Sequence, residues 1–326
     1  MYMKNSVKDF SLWCDFIERG FLQHDFATHL KEAHFVGATS NPSIFANAIL
    51  HSSAYQAQLE QLRSAPKLCP KDIYESLAIE DIKLAAQALL GLYEADRDYG
   101  YISIEIDPTL SDDAKASIEE GRRLYESIGY ENVMIKVPAT EAGYEVMGAL
   151  FKDGINVNAT LVFSEKQAAQ CARILDKNSK TNARAVISIF VSRFDSPIPP
   201  AEPLQPRLGI LNAMVCYGAI NELGNSRIRP LFASTGAKIQ GLNPDYYITN
   251  LIAPHSVNTA PLATIEAFLQ SPKERVIPWL EKKEASRAIS ELDLGKHTLE
   301  SLQSTLLAEG LEAFKQSFSA MLASLA

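Results

Sequence analysis

The chain has 326 residues, of which 47% are hydrophobic and 21% charged, and its formal net charge is −8. This composition is typical of globular proteins and excludes a disordered or fibrous chain. The acidic balance argues against a nucleic-acid partner, which requires a basic face. No apolar run approaches the ~20 residues that a membrane-crossing helix needs, so no membrane association is expected.

The opening decapeptide, MYMKNSVKDF, lacks the apolar core of a secretory signal. The four cysteines are far apart in the sequence and form no CxxC pair, which argues against a disulfide framework. Three of the six histidines recur every five residues, a spacing that does not place them on one helix face. We interpret them as surface or packing residues and expect a cytoplasmic protein without a metal site.

Eight β-like runs alternate with helical stretches along the chain. The runs are 12–16, 35–39, 101–106, 133–137, 155–162, 185–190, 230–234 and 256–259. Alternation of this kind predicts a parallel sheet with crossover helices, and eight strands are the number that a closed (β/α)₈ barrel requires. An open doubly wound sheet usually has a glycine-rich turn after its first strand, whereas IERG follows here, so the pattern favours an α/β barrel.

Amphipathic helices are predicted at 112–128, 141–152, 165–176 and 207–223. Two regions interrupt the alternation. Residues 46–96 are mostly helical, with breaks near Pro66 and Pro70, and we expect an insertion of helices outside the barrel. Residues 270–326 contain apolar side chains at helical spacing and predict one or two C-terminal helices packed on the barrel as part of its core. We expect residues 1–326 to form one domain, with a loop at the five prolines of 196–206.

A lysine lies inside the apolar strand VMIKVP, as Lys136. Strands that are buried on both faces are normally apolar throughout, and a buried ammonium group must be paired or lose its proton. A lysine amine in such a setting can attack a carbonyl group. The alternative interpretations of this segment are a strand-end lysine that reaches solvent and a lysine in a structural ion pair.

Further polar side chains fall at or near the carboxyl ends of the predicted strands. Period-two spacing places them on the strand faces that a barrel turns inward, and barrel active sites gather at the carboxyl ends. They can therefore converge with Lys136 on one cavity. The set comprises Asp15, Asn41, Glu105, Asn158, Thr160 and Ser188.

The segments that carry these residues resemble those of the transaldolase family. GATSNPSIF at 37–45 is similar to the TSNP motif of the family, and VMIKVPATEAG at 133–143 is similar to the segment around its Schiff-base lysine. NATLVFS at 158–164, SIFVSR at 188–193 and ASTG at 233–236 match further blocks in the same order. The resemblance extends from about residue 12 to residue 268.

The resemblance implies a (β/α)₈ barrel that transfers a dihydroxyacetone unit in the non-oxidative pentose phosphate pathway. The donor would be fructose 6-phosphate or sedoheptulose 7-phosphate, and the acceptor erythrose 4-phosphate or glyceraldehyde 3-phosphate. It implies no metal or organic cofactor. The expected partners are therefore small sugar phosphates. We expect the protein to be a monomer or a homodimer.

By matching positions, the resemblance also assigns catalytic roles. Lys136 would form the Schiff base with the donor carbonyl. Glu105 and Thr160 would hold the water that moves protons during imine formation. Asp15 would take the proton of the C4 hydroxyl as the C3–C4 bond breaks. The block around Asp15 is matched mainly by its order in the chain and by the aspartate itself.

The same matching assigns substrate contacts. Asn41, Asn158 and Ser188 would hold the three-carbon unit, and Arg193 would bind the phosphate with help from Ser234. Arginine suits a phosphate because its planar group can donate two parallel hydrogen bonds.

One phosphate contact departs from the pattern. Many family members have an arginine at the position of Gly236, and the nearest cation here is Lys238. Phe190 shares the inward face with Ser188, and we expect it to keep bulk water from the imine.

Two other functions compete with the transferase. One is an aldolase that releases free dihydroxyacetone to water, as in fructose 6-phosphate aldolase. The other is an inactive barrel that serves as a binding protein. The presence of Lys136, Glu105, Asp15 and Asn158 argues against the inactive barrel. The chain length, the pairing of Glu105 with Thr160, and Phe190 favour the transferase over the aldolase.

Overall fold

The computed structural model describes residues 9–64, 68–198, 206–272 and 274–326. Eight parallel strands form a closed barrel in chain order, and the last strand pairs with the first. The (β/α)₈ barrel is therefore confirmed. The strands are β1 (Ser11–Cys14), β2 (Ala38–Thr39), β3 (Ile102–Glu105), β4 (Val133–Pro138), β5 (Asn156–Val162), β6 (Ala185–Phe190), β7 (Ile228–Ala233) and β8 (Val257–Ala260).

Each predicted run overlaps one of these strands, with differences at the ends. β2 has only two residues, and β7 begins at Ile228 rather than at Pro230. The sequence pattern hid the start of β7 because Arg229 is charged. Its side chain is nevertheless buried, and its guanidinium donates to three backbone carbonyl oxygens and to the Ser11 hydroxyl.

Helices surround the barrel, and all four amphipathic stretches are confirmed as helices. The helices are α1 (Arg19–His24), α2 (Phe26–Lys31), α3 (Pro42–His51), α4 (Gln56–Ser64), α5 (Pro70–Ala95), α6 (Ala114–Ile128), α7 (Glu141–Lys152), α8 (Glu165–Lys177), α9 (Leu208–Asn221), α10 (Tyr246–Asn250), α11 (Leu262–Gln270), α12 (Lys282–Ser290) and α13 (Leu299–Leu325).

The region 46–96 is helical, as predicted, and is made of most of α3 together with α4 and α5. Pro70 begins α5 rather than interrupting a helix, because proline is well suited to the first helical position. Pro66 lies outside the described residues, as does most of the proline-rich segment 196–206. A buried ion pair between Arg19 and Asp81 ties α1 to α5, and the Tyr55 hydroxyl donates to Asp81 at 2.8 Å.

The C-terminal tail forms two helices, α12 and α13, which confirms the predicted helical tail. α12 packs against α9, while α13 packs against α3, α5 and β5 and against the short 3₁₀ helix Ser192–Phe194. α13 approaches β5 at Leu161, near the carboxyl-terminal end of the strand, and the 3₁₀ helix follows the carboxyl-terminal end of β6. The last helix therefore crosses the carboxyl-terminal mouth of the barrel, where active sites of this fold lie.

Candidate active site

Lys136 is buried on β4, with only 5% of its surface exposed. Its Nζ donates to the carbonyl oxygen of Ser40 at 3.0 Å and lies 3.4 Å from Oε2 of Glu105. The sequence required that this lysine be paired or neutral, and the structure shows a paired one. Its amine faces the carboxyl-terminal mouth, and the ring centroid of Phe314 on α13 is 5.8 Å away.

Strand register brings the neighbours of Lys136 into line. Glu105 on β3 and Asn158 on β5 are the residues paired with Lys136 across the sheet. The Asn158 amide donates to the Ser103 hydroxyl at 3.2 Å and accepts from the Ser188 hydroxyl at 2.7 Å. Carboxylate, amine, amide and hydroxyl thus form one continuous inward row over β3 to β6.

Glu105 is buried beside Lys136. Burial raises the pKa of Glu105 to about 7, the Lys136 charge opposes this rise, and the charge of Asp15 adds to it. Among the described residues, the buried Thr160 Oγ1 has no hydrogen-bond partner, and the buried Glu105 Oε2 has only the longer ionic contact with Lys136 at 3.4 Å. Buried polar atoms are normally satisfied, so these two are available to bind a small polar molecule next to the lysine.

Asp15 follows β1 and is half-buried at the cavity wall. The Thr39 hydroxyl donates to Asp15 Oδ1 at 2.5 Å and lies 2.7 Å from the Thr259 hydroxyl. Burial raises the pKa of Asp15 above its ordinary value, while the Lys136 charge and the Thr39 hydrogen bond oppose the rise. The sequence analysis did not single out either threonine, because Thr–Asp contacts between distant strands leave no local pattern.

Two cationic side chains besides Lys136 line the cavity, those of Arg193 and Lys238. Arg193, in the 3₁₀ helix after β6, lies with its Cζ 5.2 Å from the ring centroid of Phe190. Ser234 follows β7 with φ of 55°, and its hydroxyl is 3.1 Å from that of Ser192. Non-glycine residues in this region are uncommon and cluster at functional sites. Lys238 is exposed and lines the same cavity.

One cavity of about 290 Å³ collects these groups. Nine of the eleven site residues predicted from the sequence line it, and the other two, Glu105 and Asn158, lie directly behind Lys136 and Ser188 through the contacts given above. The nine are Asp15, Asn41, Lys136, Thr160, Ser188, Phe190, Arg193, Ser234 and Lys238. The structure therefore brings together every predicted site residue.

Phe314 is a cavity residue that the sequence analysis missed. We interpreted the tail as core packing, and most of its apolar side chains are indeed buried in that way. Helical spacing showed that Phe314 faces inward but not that the inward side of α13 covers the barrel mouth. Ser43 on α3 also lines the cavity, and its hydroxyl lies 2.9 Å from that of Ser317 on α13.

Within the four described ranges, no helix is long and apolar enough to cross a membrane. Those ranges also contain no cluster of three or more His, Cys, Asp or Glu side chains that could hold a metal ion. The four cysteines are free, and three of them are buried.

The sequence of this chain is similar to those of known proteins of one family. The model of the transaldolase/fructose-6-phosphate aldolase family matches residues 12–325. A transaldolase of Helicobacter pylori strain HPAG1 is 48% identical over 320 residues, which cover 98% of this chain and 100% of that protein. A transaldolase of Campylobacter jejuni strain RM1221 is 45% identical over 336 residues, again covering 98% of this chain and 100% of the relative.

Proposed function

We propose that this chain, which belongs to the transaldolase/fructose-6-phosphate aldolase family, is a transaldolase that works through a Schiff base on Lys136. The observation that carries the proposal is a buried amine beside a carboxyl group, in a cavity that Arg193 and Lys238 also line. A phosphorylated ketose fits this set of groups, with its carbonyl carbon at the lysine and its phosphate at the cations.

Imine formation needs proton transfer at the amine. Lys136 Nζ attacks C2 of the donor, and its proton can move to Glu105, whose carboxyl oxygen is 3.4 Å away. The carbinolamine then loses its hydroxyl as water and becomes an iminium ion. Glu105 and Thr160 would hold the water that carries these protons. The lack of a close hydrogen-bond partner at Glu105 Oε2 and Thr160 Oγ1 supports this role. A glutamate whose pKa is about 7 can both accept and donate protons near neutral pH.

Bond cleavage requires a base at the C4 hydroxyl. Asp15 would take that proton, the C3–C4 bond would break, and its electrons would move to the iminium nitrogen to give an enamine. The aldehyde product leaves, and an acceptor aldehyde reacts with the enamine in the reverse order. Thr39 supports this role of Asp15 by donating to the carboxylate oxygen that does not need to face the substrate.

The remaining side chains would orient the sugar. Asn41 Oδ1 accepts from the backbone N–H of Ile44 at 3.0 Å, so its amide N–H groups are the part that can reach a hydroxyl. Asn158 and Ser188 are locked to one another and present a fixed edge to the three-carbon unit. Arg193, Ser234 and Lys238 would bind the phosphate, which makes Lys238 the second cation at the phosphate.

The aldolase alternative differs in what the enamine meets. Phe190 and Phe314 flank the cavity from β6 and α13, and we infer that they limit the access of water until an aldehyde acceptor binds. The near-complete alignments with transaldolases also favour the transferase. An inactive barrel would have lost part of the amine and carboxylate set, which is complete here.

We further propose that the enzyme acts on sugar phosphates of the pentose phosphate pathway without a cofactor. A cytoplasmic setting agrees with four free cysteines, since a reducing compartment keeps thiols unpaired.

Borohydride trapping tests this function. The protein is incubated with fructose 6-phosphate and reduced, and the adduct is located by peptide mass, with Lys136→Met as the control. We expect a dihydroxyacetone adduct on Lys136 that disappears when erythrose 4-phosphate is added before reduction. Loss of the adduct in buffer alone would favour the aldolase, and an unmodified, folded protein would overturn the Schiff-base proposal.

A further inference from the structure

A second and larger cavity, of about 560 Å³, lies at the opposite end of the barrel. Its lining residues come from the segments that lead into β3, β4, β5, β6 and β7, so it opens at the amino-terminal mouth. The residues are Tyr93, Arg97, Tyr125, Glu131, Gly154, Asn156, Asn182, Ala183, Arg184 and Arg227. This mouth of a (β/α)₈ barrel ordinarily serves stability, and the candidate active site is at the other one.

Among the described residues, the charged groups that line this cavity are three guanidinium groups and the carboxylate of Glu131. The guanidinium groups are those of Arg97, Arg184 and Arg227. The surplus of positive charge is local, since the whole chain has a net charge of −8. A concave site with such a surplus concentrates anions.

Two of the three guanidinium groups, those of Arg227 and Arg97, make contacts that restrict their positions. Arg227 donates to the carbonyl oxygen of Ser179 at 2.5 Å and to the carbonyl oxygen of Thr181. Arg97 lies with its Cζ 4.1 Å from the ring centroid of Tyr93. Fixed guanidinium groups lose little conformational entropy on binding a ligand.

Arg184 retains unused hydrogen-bonding capacity. Its Nη2 lies 3.5 Å from Asp98 Oδ1, and its Nε is buried without a hydrogen-bond partner in the described part of the chain. Arg97 Nη1 lies 3.0 Å from Glu131 Oε2. Both side chains are largely exposed, so an anion can replace this ion pair at low cost.

We propose that the cavity between Arg97, Arg184 and Arg227 is a binding site for a small phosphorylated anion, separate from the candidate active site. Guanidinium groups match phosphate oxygens in paired hydrogen bonds, and three of them around one cavity can neutralise more than one phosphate charge. The volume admits a ligand larger than inorganic phosphate, since it is about twice that of the candidate active site.

Calorimetric titration of the full chain with inorganic pyrophosphate tests the site. The titration uses the Arg193→Met background, which removes a candidate phosphate ligand of the active site. We expect one pyrophosphate per chain, and we expect Arg184→Met to raise its Kd by at least about tenfold. Glu131→Gln should strengthen binding several-fold, because it removes the carboxylate that competes for Arg97. Arg287→Met, which removes an exposed charge elsewhere, is the matched control.

The proposal fails if the Arg193→Met background binds no pyrophosphate, or if Arg287→Met weakens binding as much as Arg184→Met does. If Arg184→Met does not fold, Arg97→Met gives the decisive result, because that side chain is 53% exposed and can be replaced without disturbing the core. An unchanged Kd in Arg97→Met together with no gain in Glu131→Gln would also overturn the proposal. None of these outcomes depends on whether the enzyme transfers dihydroxyacetone.

Discussion

Two carboxyl groups and one buried amine give the candidate site its chemistry at the scale of single residues. Glu105 lies next to Lys136, and the half-buried Asp15 lies next to Thr39 in the same cavity. Burial raises the pKa of both carboxyl groups, and for Glu105 the value is about 7. Glu105 can therefore exchange protons near neutral pH, where the reaction is proposed to run.

Glu105→Gln should lower the rate of imine formation by roughly 10²–10⁴-fold, because the amide cannot exchange protons with Lys136. It should also change how stability depends on pH. The folded protein favours the neutral form of Glu105, because its pKa is raised from 4.5 to about 7. The stabilisation that results from the raised pKa is fully present below pH 4.5 and is lost as the pH rises through about 7. Urea unfolding across this range should show that the free energy of unfolding of the variant rises relative to that of the parent as the pH increases, by about 3 kcal/mol at most. A constant difference between pH 4 and 8 would contradict the raised pKa.

Thr39→Val should move the acidic limb of the pH profile of kcat/KM to higher pH. The Thr39 hydroxyl lowers the pKa of Asp15, whose carboxylate form is the proposed base, so its removal raises that pKa further. Thr39→Ser keeps the hydroxyl and should restore the profile. Lower activity with an unmoved limb would show that Thr39 only packs against β1.

Helix α13 determines, at the scale of elements, how closed the site is. It approaches the end of β5 closely because residue 310 is glycine: a Cβ atom there would lie 2.9 Å from Leu161 Cδ2 and 3.4 Å from Arg193 Nη1. This close approach holds Phe314 over the cavity, one helical turn farther along α13. Leu161 itself has φ of 56° at an irregularity in the β5–β6 pairing. The contact therefore joins a glycine without a Cβ atom to a leucine with a left-handed backbone.

Gly310→Ala and Gly91→Ala form a matched pair of substitutions in helix interiors. Alanine at 91 meets nothing within 4 Å and should stabilise the protein by up to about 1 kcal/mol through helix propensity. Alanine at 310 should lose that gain by crowding Leu161, and should raise KM for the phosphorylated donor by displacing Arg193. Calorimetric melting and steady-state kinetics measure both effects. Equal stabilisation without a change in KM would show that α13 yields freely.

Closure of the barrel, at the scale of the whole molecule, depends on a charge at its amino-terminal end. Arg229 on β7 donates to Ser11 on β1 and to backbone oxygens that precede β1, β3 and β8. It therefore joins the first strand to the last two. The candidate active site lies at the opposite mouth. The Arg229 contacts that close the barrel and the proposed catalytic residues are therefore at different ends of it.

Arg229→Met should lower the free energy of unfolding by about 3 kcal/mol or more, since several buried oxygens lose their donor at once. Arg287→Met removes an exposed i,i+4 pair and should cost less than about 0.5 kcal/mol. Urea denaturation of the two variants against the parent measures the difference. Similar small losses in both would show that the backbone ladder alone closes the barrel.

The sequence by itself determined the element order and the inward polar residues. Alternating strand and helix periods encode which face of each element is buried, and a lysine in VMIKVP stands out because its surroundings are apolar. These local signals were sufficient for the eight strands, for the helical tail and for seven inward polar residues of the site, whereas Arg193, Ser234 and Lys238 were assigned by the family resemblance. They failed at the start of β7, where a buried arginine reads as a loop.

Contacts between distant segments were decided only by the tertiary structure. The 3.4 Å approach of Lys136 to Glu105 depends on strand register, and the position of Phe314 over the cavity depends on the path of α13. The arginine cavity at the other mouth draws its residues from the approaches to five strands. Periodicity specifies the face of an element, whereas packing of the closed barrel specifies what that face meets.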